Sequence, residues 1–160
     1  SSKLYDFNSD NNSDYVAENY KNSSVAVKYT QILSKILNND YNYNDYDRAA
    51  NLFWPGNKLG HGREDVQEKW NSIKQIFSDI KFTIEHVGFL EEPEQNPRIS
   101  VRWFLEGIHS KSSNDYGEAS NKKIFIMGIN HAEFNSESIA REWVLFDEVA
   151  IWKQILLNHG

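Results

Sequence analysis

The order of hydrophobic periodicities along this chain predicts an α+β fold, with helices packed on one face of a curved, mostly antiparallel sheet. Three observations carry that expectation. Apolar residues recur at helical spacing in the first half of the chain, they alternate at strand spacing in the second half, and polar, turn-rich segments separate the alternating runs as hairpins require.

Residues 1–23 are rich in Ser, Asn, Asp and Tyr without a sustained period, so they read as a poorly ordered arm ahead of one domain over residues 24–157. In residues 24–40, Val25, Tyr29, Ile32, Leu33 and Ile36 fall on one helical face behind a serine cap. Residues 45–52 (DYDRAANL) give a second, shorter helix, with a strand from about Ala49 as the alternative. Phe53, Trp54, Pro55 and Gly56 then stop the element, because proline fixes its own φ and restricts the residue before it. A third helix is expected over residues 63–80, where Val66, Trp70, Ile73, Ile76 and Phe77 form a stripe and acidic residues early in the run complement the helix dipole.

Strands are expected over residues 81–90 and 99–110, then over residues 122–134 and from Ile139 onward, resuming after Asp147 and Glu148 as far as Leu157. Residues 111–121 (KSSNDYGEASN) read as a mobile hairpin loop. On the last strand Arg141, Trp143 and Leu145 point one way and Glu142, Val144 and Phe146 the other. Turn length sets the rest. A two- or four-residue loop pairs Phe134 with Ile139 and His131 with Glu142, leaving His131 on the side opposite Trp143 and Asp147, whereas a three-residue loop joins His131 to Trp143.

A chain of 160 residues fits one domain and buries roughly 70% of its unfolded surface. With 39% hydrophobic and 14% aromatic residues, an ordered globule is expected. A net charge of −6 without a basic stripe argues against a nucleic-acid partner. The absence of cysteine removes disulfides, thiol nucleophiles and thiolate metal sites together. No apolar run approaches the ~20 residues of a membrane span, so no membrane partner is expected. A soluble, cytoplasmic protein is the first expectation, with export as the alternative because the sequence starts at Ser1 rather than Met.

Asp147 lies among Leu145, Phe146, Val149 and Ile151, and a carboxylate in such company carries a desolvation cost that raises its pKa into a range useful for general acid/base work. The competing role is structural: capping a strand end, or pairing with Arg102 or Arg141. His131, in mid-strand, is a candidate proton relay or carbonyl-orienting group, against the commoner role of a satisfied core or interface histidine. His109 shares a face with Val101, Trp103 and Leu105, and Arg102 lies on the opposite side with Phe104 and Glu106. His61, between two glycines, either reaches a pocket mouth or sits in a solvated turn. Trp54, Trp70, Trp103 and Trp143 either wall a site for an aromatic ligand or form plain core. Other chemistries fail on spacing: there is no nucleophile elbow, no phosphate-cradling glycine loop and no His pair at metal-ligand distance, so neither metal nor cofactor is expected.

The segments FWPG (53–56), H-GRE (61–64), W…FSDIKF (70–82), VRWFLEGIHS (101–110) and REWVLFDEVAIWKQI (141–155) together resemble the SnoaL-like polyketide cyclase family, within the broader group named for nuclear transport factor 2. The resemblance implies a cone-shaped fold in which a strongly bent sheet wraps against three N-terminal helices, encloses a pocket and usually forms a homodimer. It implies a small apolar or aromatic carbonyl ligand, and a proton-shuttling acid near the end of the last strands, which Asp147 matches by lying four residues after Trp143. It also implies dimer contacts at Trp152, Gln154 and Ile155. Where relatives often carry Asp-Gly in the last hairpin, this chain has Ser136 and Glu137.

Three functions are therefore expected to compete. The first is a cofactor-independent cyclase, isomerase or hydratase using Asp147; the second a non-catalytic carrier of a small apolar ligand; the third an interaction domain. A cavity of at least ~300 Å3 showing Asp147 and a histidine favours the enzyme, and a filled interior with an apolar outer sheet favours assembly.

Overall fold

The computed structural model describes residues 20–157, so the expected N-terminal arm lies almost wholly outside the described residues. Among these, six strands form one mixed sheet in the order β2-β1-β6-β5-β4-β3. The elements follow one another as α1 (Ser24–Leu37), β1 (Tyr46–Trp54), β2 (Lys58–His61), α2 (Arg63–Lys74), β3 (Phe77–Leu90), β4 (Arg98–His109), β5 (Lys123–Asn135), β6 (Ser138–Phe146) and α3 (Glu148–Leu156). All neighbours pair antiparallel except β1 and β6, which run parallel.

Helix α1 starts where the Ser23 hydroxyl accepts from the Ala26 N–H at 3.1 Å, and two residues past its end at Leu37 the chain turns at Asn39, whose φ is 58°. Residues 46–54 are strand rather than helix. Tyr46, Ala50, Leu52 and Trp54 all reach the core, and an irregularity between Tyr46 and Asn51 hides the two-residue alternation that would have marked the strand. Helix α2 ends at Lys74, six residues short of the expected end at Ile80, because Ile76, just ahead of β3, and Phe77, its first residue, enter the same core.

The last helix is the larger departure from expectation. Residues 148–156 coil instead of resuming a strand, so this helix is C-terminal and not N-terminal. Ile151 and Ile155, one helical turn apart, face inward. The Gln154 side-chain amide donates to the Phe125 carbonyl and accepts from the Phe125 N–H, each at 2.8 Å, thereby capping β5 where β6 has ended. Trp152 packs on Tyr116 with ring centroids 6.2 Å apart, so Trp152, Gln154 and Ile155 all make contacts within the chain. Nor is the 110–122 loop loose: Tyr116 is 2% exposed, its hydroxyl donates to Glu148 at 2.9 Å, and Ser113 bridges Gly117.

Bulges between Ser78 and Lys81 and between Ile84 and His86 bend β3. The sheet's inner face meets α1 and α2 over a continuous core containing Tyr29, Leu33, Trp70, Trp103, Val144 and Phe146. Gly128 is required there. A Cβ at this position would lie 2.0 Å from the Trp103 ring, which crosses the bare backbone of its cross-strand partner.

The final hairpin resolves the face of His131 in a way turn length alone does not. The turn has two residues and Phe134 pairs with Ile139, yet a bulge between Glu133 and Phe134 shifts the register so that His131 faces Trp143. Ala132 then faces Glu142, and both point into the core.

Candidate active site

The inner face of β6 carries Glu142 at 1% exposure, between the fully buried phenols of Tyr29 on α1 and Tyr46 on β1. Tyr29 donates to Glu142 Oε2 at 2.5 Å and Tyr46 donates to Oε1 at 2.7 Å. Behind Tyr29 the donors continue in line: Asn130 Nδ2 donates to the Tyr29 hydroxyl at 3.0 Å, and Trp103 Nε1 donates to Asn130 Oδ1 at 2.9 Å. Every bond in this series is oriented toward the carboxyl group, so each polarises the next.

Burial raises the Glu142 pKa to about 7, against the opposing pull of the Tyr29 and Tyr46 hydrogen bonds and of the Trp70 N–H. The Trp70 indole faces the same carboxylate but falls outside regular hydrogen-bond geometry, so its N–H has no full partner. Burial, together with the Glu142 charge, pushes the Tyr29 and Tyr46 phenols well up. Both therefore remain protonated donors over the whole range in which Glu142 titrates. A carboxyl balanced between acid and base near neutrality, held by fixed donors, has the properties of a proton-transfer group.

Tyr29, Tyr46, Trp70, Trp103, Asn130 and Glu142 are each at most 2% exposed, so among the described residues the cluster is closed to bulk solvent.

The residues expected to form one site lie on two faces. Trp54, Trp70 and Trp103 are brought together inside; Trp54 meets Trp70 edge-on at 5.1 Å. His109 is also internal, at the far end of β4, where its Nδ1 lies 3.0 Å from Ser120 Oγ and burial lowers its pKa. His131 and Trp143 meet edge-on at 5.4 Å on the outer face, lining a depression of about 490 Å3 with Arg98, Glu133 and Arg141. Burial lowers the His131 pKa, with the Arg98 charge adding to it. Arg102 lies 3.5 Å from Glu85 and, with Asp147, Met127 and Leu145, borders an adjoining depression of about 370 Å3. His61 stands apart on β2, exposed, its Nδ1 2.9 Å from Asn51 Oδ1.

Asp147 does not look into the core. It is the exposed N-cap of α3, accepting from the Ala150 N–H at 3.1 Å, so solvent and the helix terminus account for a carboxylate beside apolar residues. The group that meets the description intended for Asp147 is Glu142. The strand alternation already placed Glu142 with Val144 and Phe146 on one face, and a Glu on an apolar face is the signal that could have singled it out.

A bent mixed sheet wrapped over helices, with a lone carboxyl at its centre, defines an α+β cone of the nuclear transport factor 2 kind. The family model described as SnoaL-like polyketide cyclase matches residues 30–155, and the chain belongs to that family. Similar solved structures include a SnoaL-like polyketide cyclase from Jannaschia sp. CCS1, at 10% identity and a TM-score of 0.65, covering 86% of this chain and 97% of that one. IdmH, described as a polyketide cyclase of Streptomyces antibioticus, aligns at 14% identity with a TM-score of 0.67, over 84% of this chain and 99% of its own. A protein of Acidithiobacillus ferrooxidans carrying the same description aligns at 18% identity with a TM-score of 0.63, over 83% and 95%. At these identities the likeness is one of fold. No curated protein matches the chain.

Proposed function

We propose that this protein acts on a small apolar or aromatic carbonyl compound inside the cone by acid/base chemistry of the cyclase or isomerase kind, with Glu142 as the proton-transferring group. The observation that carries the reading is the Glu142 carboxyl, pushed up to about 7 by burial while two phenols hold both its oxygens. As a carboxylate it takes a proton from the carbon next to a carbonyl, and the electron pair of that C–H bond becomes the enolate. The enolate either attacks a second carbonyl of the same molecule, closing a ring, or is reprotonated at another carbon. In both cases Glu142 returns the proton, to the new alkoxide or to carbon, and the reaction is redox-neutral with no cofactor.

The test is a panel of aromatic ketones and β-keto esters assayed for turnover with the native protein, Glu142→Gln and Asp147→Asn. Glu142→Gln is expected to fold and to lose ~100-fold or more in rate, and Asp147→Asn to retain it. Equal rates for native protein and Glu142→Gln would sink the reading. Binding of a panel member without turnover would leave the non-catalytic carrier.

The outer sheet face supports a second, compatible reading, that a second copy of the chain covers it. Phe53, Phe125, Met127, Leu145 and Leu59 are exposed there at 37, 43, 62, 64 and 69%.

A further inference from the structure

We propose that Tyr43 is a displaceable plug over the Glu142 cluster, carried on residues 38–45, and that its withdrawal admits a neutral ligand with one carbonyl oxygen. The proposal deepens the acid/base reading of Glu142 by naming the entrance and the ligand class.

Tyr43 is held in place at a cost. Its φ is 62°, in the left-handed region that a bulky aromatic residue rarely adopts, and the turn that enforces it is closed by the Tyr46 N–H donating to the Tyr43 carbonyl at 3.1 Å. Its ring, 3% exposed, lies 6.0 Å from that of Tyr46, whose hydroxyl holds Glu142, and 5.1 Å from that of Tyr41. The Tyr43 hydroxyl is nevertheless without a hydrogen-bond partner among the described residues, and the Trp70 N–H on the other side of the cluster reaches Glu142 only outside regular hydrogen-bond geometry. The closed arrangement thus leaves one buried donor unsatisfied and a second poorly satisfied beside one carboxyl group, each an unfavourable term.

The ties of the segment lie at its ends. The chain leaves α1 at Asn39, a second non-glycine residue with positive φ, and re-enters the fold where Asp45 accepts from the Tyr41 hydroxyl at 2.8 Å and lies 3.4 Å from Lys28 Nζ. Arg63 Nη2 donates to the Asn44 carbonyl at 3.2 Å, at an exposed position. Between these points the Tyr43 backbone is held by the bond from the Tyr46 N–H, and its side chain by packing alone. Exchanging it for a ligand carbonyl releases the Tyr43 hydroxyl to water and supplies the Trp70 N–H with an acceptor. A hydrocarbon would leave Trp70 unsatisfied, and an anion would be repelled by ionised Glu142.

The probes are acetophenone and its carbonyl-free counterpart ethylbenzene, titrated into the native protein, Tyr43→Ala, Tyr43→Phe and Trp70→Phe, with the tryptophan indole N–H signals followed by NMR. Removing the plug should tighten acetophenone binding ~10-fold or more, since the open state no longer has to be selected from a minor population. The indole signal absent from Trp70→Phe should move on titration, and the preference for acetophenone over ethylbenzene should vanish in that variant. Tyr43→Phe keeps the plug without its unsatisfied hydroxyl and should raise Tm and weaken acetophenone binding. A folded Tyr43→Ala that binds acetophenone no better than the native protein, or that binds both probes equally, overturns the proposal. Should Tyr43→Ala fail to fold, hydrogen exchange in the native protein decides: acetophenone must accelerate exchange of the amides of residues 41–45, and protection there overturns the plug. These readouts are of binding, so their failure leaves the turnover result for Glu142→Gln intact.

Discussion

Desolvation, opposed by hydrogen bonds, sets the acidity of Glu142, and the balance makes the group visible in the stability of the protein. Its folded pKa of about 7 exceeds the ordinary value of 4.5, so the folded state holds this proton where the unfolded chain has released it. The contribution is therefore neutral below pH ~4.5 and becomes unfavourable as pH rises toward 7, reaching about 3 kcal/mol once the group is ionised in both states. Urea unfolding of native protein and of Glu142→Gln across pH 4 to 8 should show a stability difference that grows in favour of the variant over that window. A pH-independent difference would mean that Glu142 binds its proton no more tightly in the fold than in the unfolded chain. The sequence made this group legible only in part. Alternation put Glu142 on the inward face with Val144 and Phe146, but Tyr29 and Tyr46 come from elements 113 and 96 residues away in sequence, and spacing carries no information about such meetings.

Among the elements, the helix stripes of α1 and α2 and the alternation of β4 and β5 were legible because burial on one face imposes its period on the sequence. The C-terminal helix was misread through one residue. Asp147 followed by Glu148 has the composition of a helix start, and a carboxylate at an N-cap needs no buried setting to explain it. The bulge in the last hairpin left no comparable mark, since Ala140 fits a bulged or a regular strand equally well, and it alone brings Trp143 to the outer face beside His131 and turns Glu142 inward. The cap is testable. Asp147→Ala should lower stability by about 1 kcal/mol through loss of the bond to the Ala150 N–H, with Asp147→Ser recovering most of it. Turnover per folded molecule should be unchanged in both, and a rate loss without a stability loss would return Asp147 to the chemistry.

For the whole molecule, the decisive asymmetry is between an interior closed to solvent and an outer sheet face that exposes apolar side chains. Cross-strand rows organise the outer face: Arg98, Glu133 and Arg141 across one end, then Ser100, His131, Trp143 and Phe53, then Arg102, Ile129 and Leu145. Glu133 is shared by both flanking arginines, at 3.8 Å from Arg98 and 3.4 Å from Arg141, which leaves each row end with unspent positive charge. Phe53 stacks on Trp143 at 5.2 Å and Phe104 on Phe125 at 5.8 Å, so the rows present flat rings rather than flexible chains. A free chain exposes this apolar face, and a two-fold partner would bury identical rows against one another with no new surface required. We therefore expect the native chain to sediment as a dimer. Leu145→Glu, exposed and central in the rows, should sediment as a monomer with an unchanged far-UV spectrum, because the carboxylate is free in the monomer and buried unpaired in the dimer. A native chain that stays monomeric at high micromolar concentration, or a Leu145→Glu variant that still dimerises, would assign the outer face to another partner. Because Glu142 faces inward from the same strand, the monomeric variant should also retain turnover, separating assembly on one face of β6 from chemistry on the other.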